Sequence, residues 1–326
     1  MAERSVLSQA TQLGVEVTAG VAVSSNKKLL GTMIDLSIKS DVKVYRPSGG
    51  KFSTVTALGK EWSEAKIDGP LTYTDFVYLM AGNVAYAAPA QQGSTTAYLW
   101  TSTPSQSASD TRKTFTVEHG SSVRAHKAAY GLVNSLGYII NRNEAKIKGA
   151  MLCNRITDGI TLTSTPTQIA LVPVLPSQVC VYADPDSGDL GTTKLLRVFS
   201  IDWECSNRYG AVWPLDCALT GFAADVELEP KPLLKILIAA DSVGMSYLDG
   251  MRTGDRTFIR VEAEGAEIDT GENYLFQHDV SAEVVSVSEF KDEQGVYAIE
   301  WTFQAMYDSG WGKAFTFGIK NALTAL

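Results

Sequence analysis

From Met33 onward the chain alternates. IDLSIKSDVKVY (34–45) sends apolar and polar side chains to opposite sides with period two, the mark of a strand with one buried face. RPSGGK breaks the pattern with Pro47, Gly49 and Gly50, which favour a turn or the tip of a long hairpin. FSTVTALGKEWSEAKIDG then returns with the Thr, Val and aromatic residues that suit a strand. In PLTYTDFVYLMAG the period changes: Leu71, Phe76 and Leu79, with Tyr73, Val77 and Met80, lie near helical spacing. A short helix is predicted there, with Pro70 acceptable at its start and Gly82 able to close it. Residues 90–111 are rich in Ser, Thr and Gln with little to bury and read as a surface loop. Strands resume at TFTVEHG, AAYGLVNSLGYI and AKIKGAML.

The pattern then repeats. TFTVEHG (114–120) is echoed by TFIRVEAEG (257–265), and TYTDFVYLMAG (72–82) by DSVGMSYLDGM (241–251), with Tyr78-Leu79 matching Tyr247-Leu248. NEAKIKGAML (143–152) has a counterpart in VYAIEWTFQA (296–305), and MIDLSIKS (33–40) in VFSIDWECS (198–206). Four echoes in the same order predict a tandem duplication. The expected fold is mainly β: two tandem β-barrel or β-sandwich domains, each with one short flanking helix, plus extended N- and C-terminal arms. The boundaries read as an N-terminal arm (1–32), a first domain (33–154), a docked linker (155–196) and a second domain with a C-terminal arm (197–326).

Composition narrows the function. No apolar run approaches the roughly 18 to 20 residues that span a bilayer; PLLKILIAAD is interrupted by Lys235. The first residues lack the basic start, apolar core and cleavage site of a secretory signal, so synthesis and retention in a cytosol are expected. Cys153, Cys180, Cys205 and Cys217 show no CxxC or Cys/His spacing and read as small buried thiols in a reducing compartment; the three histidines are scattered. No GxSxG, Walker A, GxGxxG or HExxH occurs. Asp184, Asp186 and Asp189 lack a closing glutamate and read as an acidic turn, not a calcium loop. Glu227/Glu229 and Glu262/Glu264 each fall on one strand face and read as solvated acidic surface. No catalytic residue, cofactor or metal is expected.

Charge is unevenly shared. The chain is −8 overall, but residues 33–154 hold 13 Lys+Arg against 9 Asp+Glu, whereas residues 197–326 hold 10 against 21. With a pI near 5.0 the whole should repel phosphates more than bind them. A basic copy and an acidic copy on one chain are suited to meeting in alternation, which would order an assembly.

LGVEVTAGVAVSSNKKL, IDLSIKSDVKVYRPSGGKF and TDGITLTSTPTQIALVPVLPSQVCVYAD followed by LGTTKLLRVFSIDWECSNRYGAVWPLD resemble the tail tube (major tail) proteins of long-tailed, siphovirus-type bacteriophages. The resemblance covers most of the chain and rests on diffuse pattern. It implies a structural virion protein whose barrels form six-membered rings stacked into a tube, the conduit for DNA ejection. With the barrel duplicated, three chains would supply the six. Implied partners are further copies of the chain, a tape measure protein, tail terminator and initiator proteins, and double-stranded DNA passing without specific binding. The implied location is the phage tail, assembled in the host cytoplasm.

The hairpin and its basic flanks make Lys39, Lys43, Pro47, Gly49, Gly50 and Lys66 the candidate inter-subunit residues. The alternatives are the tube of a contractile injection system, whose subunits are usually single-barrel, and a decorating or receptor-binding β-sandwich of a virion. The last would need exposed loop aromatics, for which Tyr98 and Trp100 are the one qualifying pair.

Overall fold

The computed structural model describes residues 8–217 and 219–326. In chain order the first half holds β1 (Ala10–Val15), β2 (Lys27–Leu29), β3 (Met33–Tyr45), β4 (Val55–Pro70), α1 (Asp75–Asn83), β5 (Ala90–Gln91), β6 (Tyr98–Ser102), β7 (Phe115–Gly120), β8 (Ala125–Asn141), β9 (Ala145–Cys153) and β10 (Thr157–Ile160). Beyond β11 (Thr167–Gln168) come β12 (Val179–Asp184), β13 (Val198–Ser206), β14 (Tyr209–Val212), β15 (Ala224–Glu227) and β16 (Lys231–Ala239). Two short helices follow, α2 (Ser242–Met245) and α3 (Tyr247–Thr253), then β17 (Thr257–Asp269), β18 (Glu272–Val287), β19 (Lys291–Glu293), β20 (Val296–Ala305) and β21 (Phe315–Asn321). The chain is mainly β.

The two halves pair their strands in the same order. In the first, β3 lies beside β4, β4 beside β9, β9 beside β8, β8 beside β7 and β10, and β7 beside β1, all antiparallel. In the second, β13 lies beside β16, β16 beside β20, β20 beside β18, β18 beside β17 and β21, and β17 beside β12. Registers agree as well. Ile34, Ile67, Gly149 and Leu136 form one row across the first half. Ile201, Ile236, Trp301 and Val287 form its counterpart. Val15 faces Phe115 as Asp184 faces Phe258.

β8 also joins the halves, because its other edge pairs Leu136–Asn141 with Cys205–Ser200 of β13. The sheet therefore runs β3-β4-β9-β8-β13-β16-β20-β18 without a break. No succession of pairings among the described residues returns to its start, and no closed barrel is found. Beneath this sheet one apolar core spans both halves. All nine residues of α1 are buried in it. Phe76 of α1 packs at 5.4 Å from both Phe276 and Phe317 of the second half, and Trp203 lies 5.1 Å from Phe315.

Several expectations need correction. Pro70 ends β4 opposite Lys146 instead of opening the helix, which starts at Asp75 and runs one residue past Gly82. The Asp75 carboxylate accepts from the Gly31 and Thr32 amides, 2.8 Å each, and this ties the helix start to the turn that leads into β3. The supposed surface loop carries β6, which pairs with β21 of the second half. Trp100 is buried there, its indole N–H donating to Asn321 Oδ1 (3.1 Å) and to the Leu323 carbonyl (3.2 Å).

The expected arms also fold back onto their own chain. β1 pairs with β7 and β21 pairs with β18, so open strand edges within the chain take up the apolar side chains that seemed to need a partner. Residues 1–7 of the N-terminal arm lie outside the described residues. Within the linker, β12 takes the place in the second half that β1 takes in the first.

Candidate assembly surfaces

The junction between the halves is the best-defined recognition surface in the chain. Gly137 of β8 makes it possible: a Cβ there would stand 2.2 Å from the Trp203 carbonyl oxygen and 3.0 Å from Lys148 Cε. Over the bare glycine the Lys148 ammonium reaches Asp202 (2.5 Å) and Glu204 (3.3 Å) of β13, a basic-to-acidic contact between the halves. These side chains are partly exposed, so the pair contributes at most about 1 kcal/mol and acts more on register than on stability. Below the sheet the junction is aromatic. The His278 ring stacks on Phe317 at 4.0 Å, meets Trp203 edge-on at 4.3 Å, and its Nδ1 lies 2.8 Å from the Tyr138 hydroxyl. Complete burial holds the His278 pKa well below the usual histidine range.

At the two ends of the eight-strand sheet the equivalent edges are open. Leu136 is covered by β13 and is 1% exposed, whereas Val287, in the same place on β18, is 37% exposed. The other end is the outer edge of β3, where Ile38 is 63% exposed.

All six sequence-predicted residues lie on the β3/β4 hairpin. Lys39 pairs with Glu64 (3.4 Å), Lys43 with Asp41 (3.0 Å) and Lys66 with Asp68 (2.9 Å), all partly exposed. The hydrogen bond from Lys66 lowers the Asp68 pKa despite some burial. Pro47, Gly49 and Gly50 form the tip: the Pro47 carbonyl accepts from the Gly50 amide (3.1 Å), and Gly49 takes φ +77°, which suits glycine. Beyond the Ser40–Glu61 pair no side chain of the ribbon is buried. Val42, Val44, Tyr45, Phe52, Val55 and Leu58 are all exposed, and an isolated two-stranded ribbon is marginal in water.

The matching connection of the second half behaves differently. Residues 207–230 fold their β14/β15 hairpin onto the first half, with Phe222 at 4.8 Å from Tyr130 and Trp213 at 5.7 Å from Trp62. Buried Arg208 locks this in place. It donates from Nε to the Asn83 carbonyl (3.0 Å) at the end of α1, pairs with Glu227 (2.8 Å), and donates to Asp110. Sequence reasoning missed Arg208; its one signal was an arginine just after an alternating strand, where a partner carboxylate is invisible.

Other candidates resolve into structure. The Asp184 carboxylate accepts from Gly191 N (2.8 Å), Thr192 N (3.2 Å), Thr192 Oγ1 (2.8 Å) and Thr193 N (2.9 Å). Burial works to raise its pKa, but these bonds outweigh it and hold the carboxyl below its ordinary value. Arg208 and Asn273 respectively hold Glu227 and Glu264. Cys153 and Cys205 are buried thiols, the latter pushed up to about 12 by desolvation; Cys180 is half-buried and Cys217 exposed. Among the described residues no three His, Cys, Asp or Glu side chains converge as a metal ion would need. No described helix is long and apolar enough to cross a membrane. In comparisons with known proteins, no family model matches the chain and no curated protein is significantly similar to it.

Proposed function

We propose that the chain is a ring-forming tube subunit of the phage tail-tube kind, in which copies join edge to edge by repeating the junction already present between the two halves. One observation carries this: the β8–β13 contact is filled within the chain, and the two matching edges, β18 and β3, are open at its ends. Transferring the register sets Val287 of one chain opposite Ile38 of the next, as Leu136 stands opposite Cys205.

The stagger at the junction favours closure. Ile201 is the counterpart of Ile34, yet the row from Ile34 through Leu136 arrives at Cys205, four residues further along β13. A shift of four residues for every four strands is the shear-to-strand ratio of barrels whose strands tilt by about 36°. Three chains would bring roughly 24 strands and a ring about 45 Å across between backbones, at about 4.8 Å per strand. In this reading the halves are two tube units of barrel or sandwich type. The polar face of the sheet, with Asp35, Lys66, Asp202, Glu204 and Lys235, lines a conduit past which DNA slides without specific binding. Tape measure, terminator and initiator proteins are the further partners, and the virion tail is the location.

The test is electron microscopy with mass measurement over a range of concentrations, joined to cross-linking of Val287→Cys with Ile38→Cys in a Cys217→Ser background. Closed rings of three chains that become covalently continuous on oxidation are expected. A protein that stays monomeric at every concentration and forms no inter-chain bond would overturn the proposal.

A further inference from the structure

The sheet has two projecting tips, and they point in opposite directions. Met33, Asp68, Lys148, Gly137, Glu204, Leu233, Gln304 and Glu283 form one row across all eight strands. From that row β3 and β4 run on to their turn at Pro47–Gly50 on one side. β18 and β20 run to theirs, through β19, on the other.

The tips are complementary. The β3/β4 tip carries Lys43, Arg46 and Lys51 against Asp41, with Phe52 74% exposed and the paired Tyr45 and Val55 also exposed. The β19/β20 tip carries Glu289, Asp292 and Glu293 against Lys291, with Tyr297 77% exposed and packed edge-on to Phe290 at 6.2 Å. The counterparts of these tips offer nothing similar. The β8/β9 turn is short and polar, its Asn141 side chain accepting from the Asn143 and Glu144 amides. The β14/β15 hairpin is folded onto the first half. Each chain thus has one basic, aromatic tip in its first half and one acidic, aromatic tip in its second.

We infer that rings stack head to tail by seating the β3/β4 tip of one chain on the β19/β20 tip of a chain in the next ring, first half to second half. The occupant of each tip is a second copy of this chain. Two different surfaces at opposite ends make a heterologous contact that does not close on itself, which is the geometry that extends a filament. Opposite charge around an aromatic centre fixes which tip meets which, and like tips repel. This rests on the ring reading above and assigns the partner surfaces between rings, which that reading leaves open.

The experiment compares three full-length proteins by sedimentation and electron microscopy: wild type, Arg46→Glu with Lys51→Glu, and that pair combined with Glu289→Lys and Glu293→Lys. These side chains sit on exposed turns, and matched thermal melting checks that each variant folds. In the acidic-tip variant rings should form as in wild type, while the concentration needed for tubes rises about tenfold or more. The fourfold variant should recover tubes to within about threefold of wild type. Tubes at an unchanged concentration in the acidic-tip variant would overturn the inference and leave the ring reading standing. Tubes lost and not recovered would place the acceptor elsewhere and overturn the pairing. A wild type that never forms rings would remove both.

Discussion

The helices that follow the second strand of each half share a place in the fold and little else. α1 is buried along its whole length, whereas of α2 and α3 only Gly244 is buried. The connections before them differ in the opposite sense: the β3/β4 hairpin stands in solvent, and its counterpart, residues 207–230, is clamped to the first half. Local sequence records the difference, since α1 reads DFVYLMAGN and α3 reads YLDGMRT with Asp249, Arg252 and Thr253, although both carry the Tyr-Leu pair. Neighbours explain it. α1 lies under Phe276 and Phe317 of the second half, and among the described residues α3 has no buried residue. Burial in such a chain is assigned by position in a series, and the open members of the series are its two end strands, β3 and β18.

The largest effect should come from undoing the clamp. Arg208→Met would leave Asp110 and Glu227 without their cation, the Val84 carbonyl without its arginine donor and the Asn83 carbonyl with only the Tyr209 hydroxyl. Removing one partner of a buried ionic cluster costs about 3–5 kcal/mol. Urea denaturation would read this loss, and proteolysis between Val212 and Ala224 should speed up as the hairpin comes free and resembles its counterpart in the first half. A loss below about 1 kcal/mol with unchanged proteolysis would mean that the aromatic contacts of Trp213 and Phe222 hold the hairpin alone.

The matched helices supply the next test. Leu79→Ala opens a cavity in the shared core and should cost about 2–5 kcal/mol. Leu248→Ala, at the same place in a half-buried helix, should cost about 1 kcal/mol. Equal losses would show that the second half buries its helix as deeply as the first and would break the contrast. Stability from denaturant midpoints at a fixed slope decides it.

Much of this is legible in the sequence. Period-two runs placed the long strands, and the ordered echoes anticipated halves that pair their strands alike, because a strand's alternation is written in consecutive residues. What failed was whatever depends on distant neighbours. The Ser/Thr-rich stretch reads as loop because β6 needs only Trp100 and a free edge on β21 to become strand, and neither is a local signal. The two ends read as arms because their apolar residues had no visible cover. Pro70 reads as a helix start because a proline suits that place as well as a strand end. Of the candidate residues, Pro47, Gly49 and Gly50 stand out by turn punctuation and Lys39, Lys43 and Lys66 by charge, and all six lie on one hairpin; the junction built on Gly137, Lys148 and His278 is not legible, since its parts lie as much as 141 residues apart.

The smallest predicted effect concerns that junction, where Tyr138 of the first half meets His278 of the second. Unfolded, His278 should titrate near its ordinary pKa of about 6.5; folded, burial among Phe315, Phe317, Trp203 and Tyr138 holds it well below that. Between those two values the unfolded chain binds the extra proton, so stability rises with pH and is lost as pH falls below about 6.5. The slope contributed by this one group approaches 1.4 kcal/mol per pH unit, as an order of magnitude, once the unfolded histidine is mostly protonated. His119, also pushed down by burial, acts in the same direction, so the test must be differential. His278→Gln keeps a polar group near the Tyr138 hydroxyl and removes the titration. Urea midpoints at pH 7 and pH 5.5 should draw apart for wild type more than for this variant. An equal pH dependence in the two proteins would mean that the junction tolerates a charged imidazole, and the acid sensitivity would then have to be sought outside the contact between the halves.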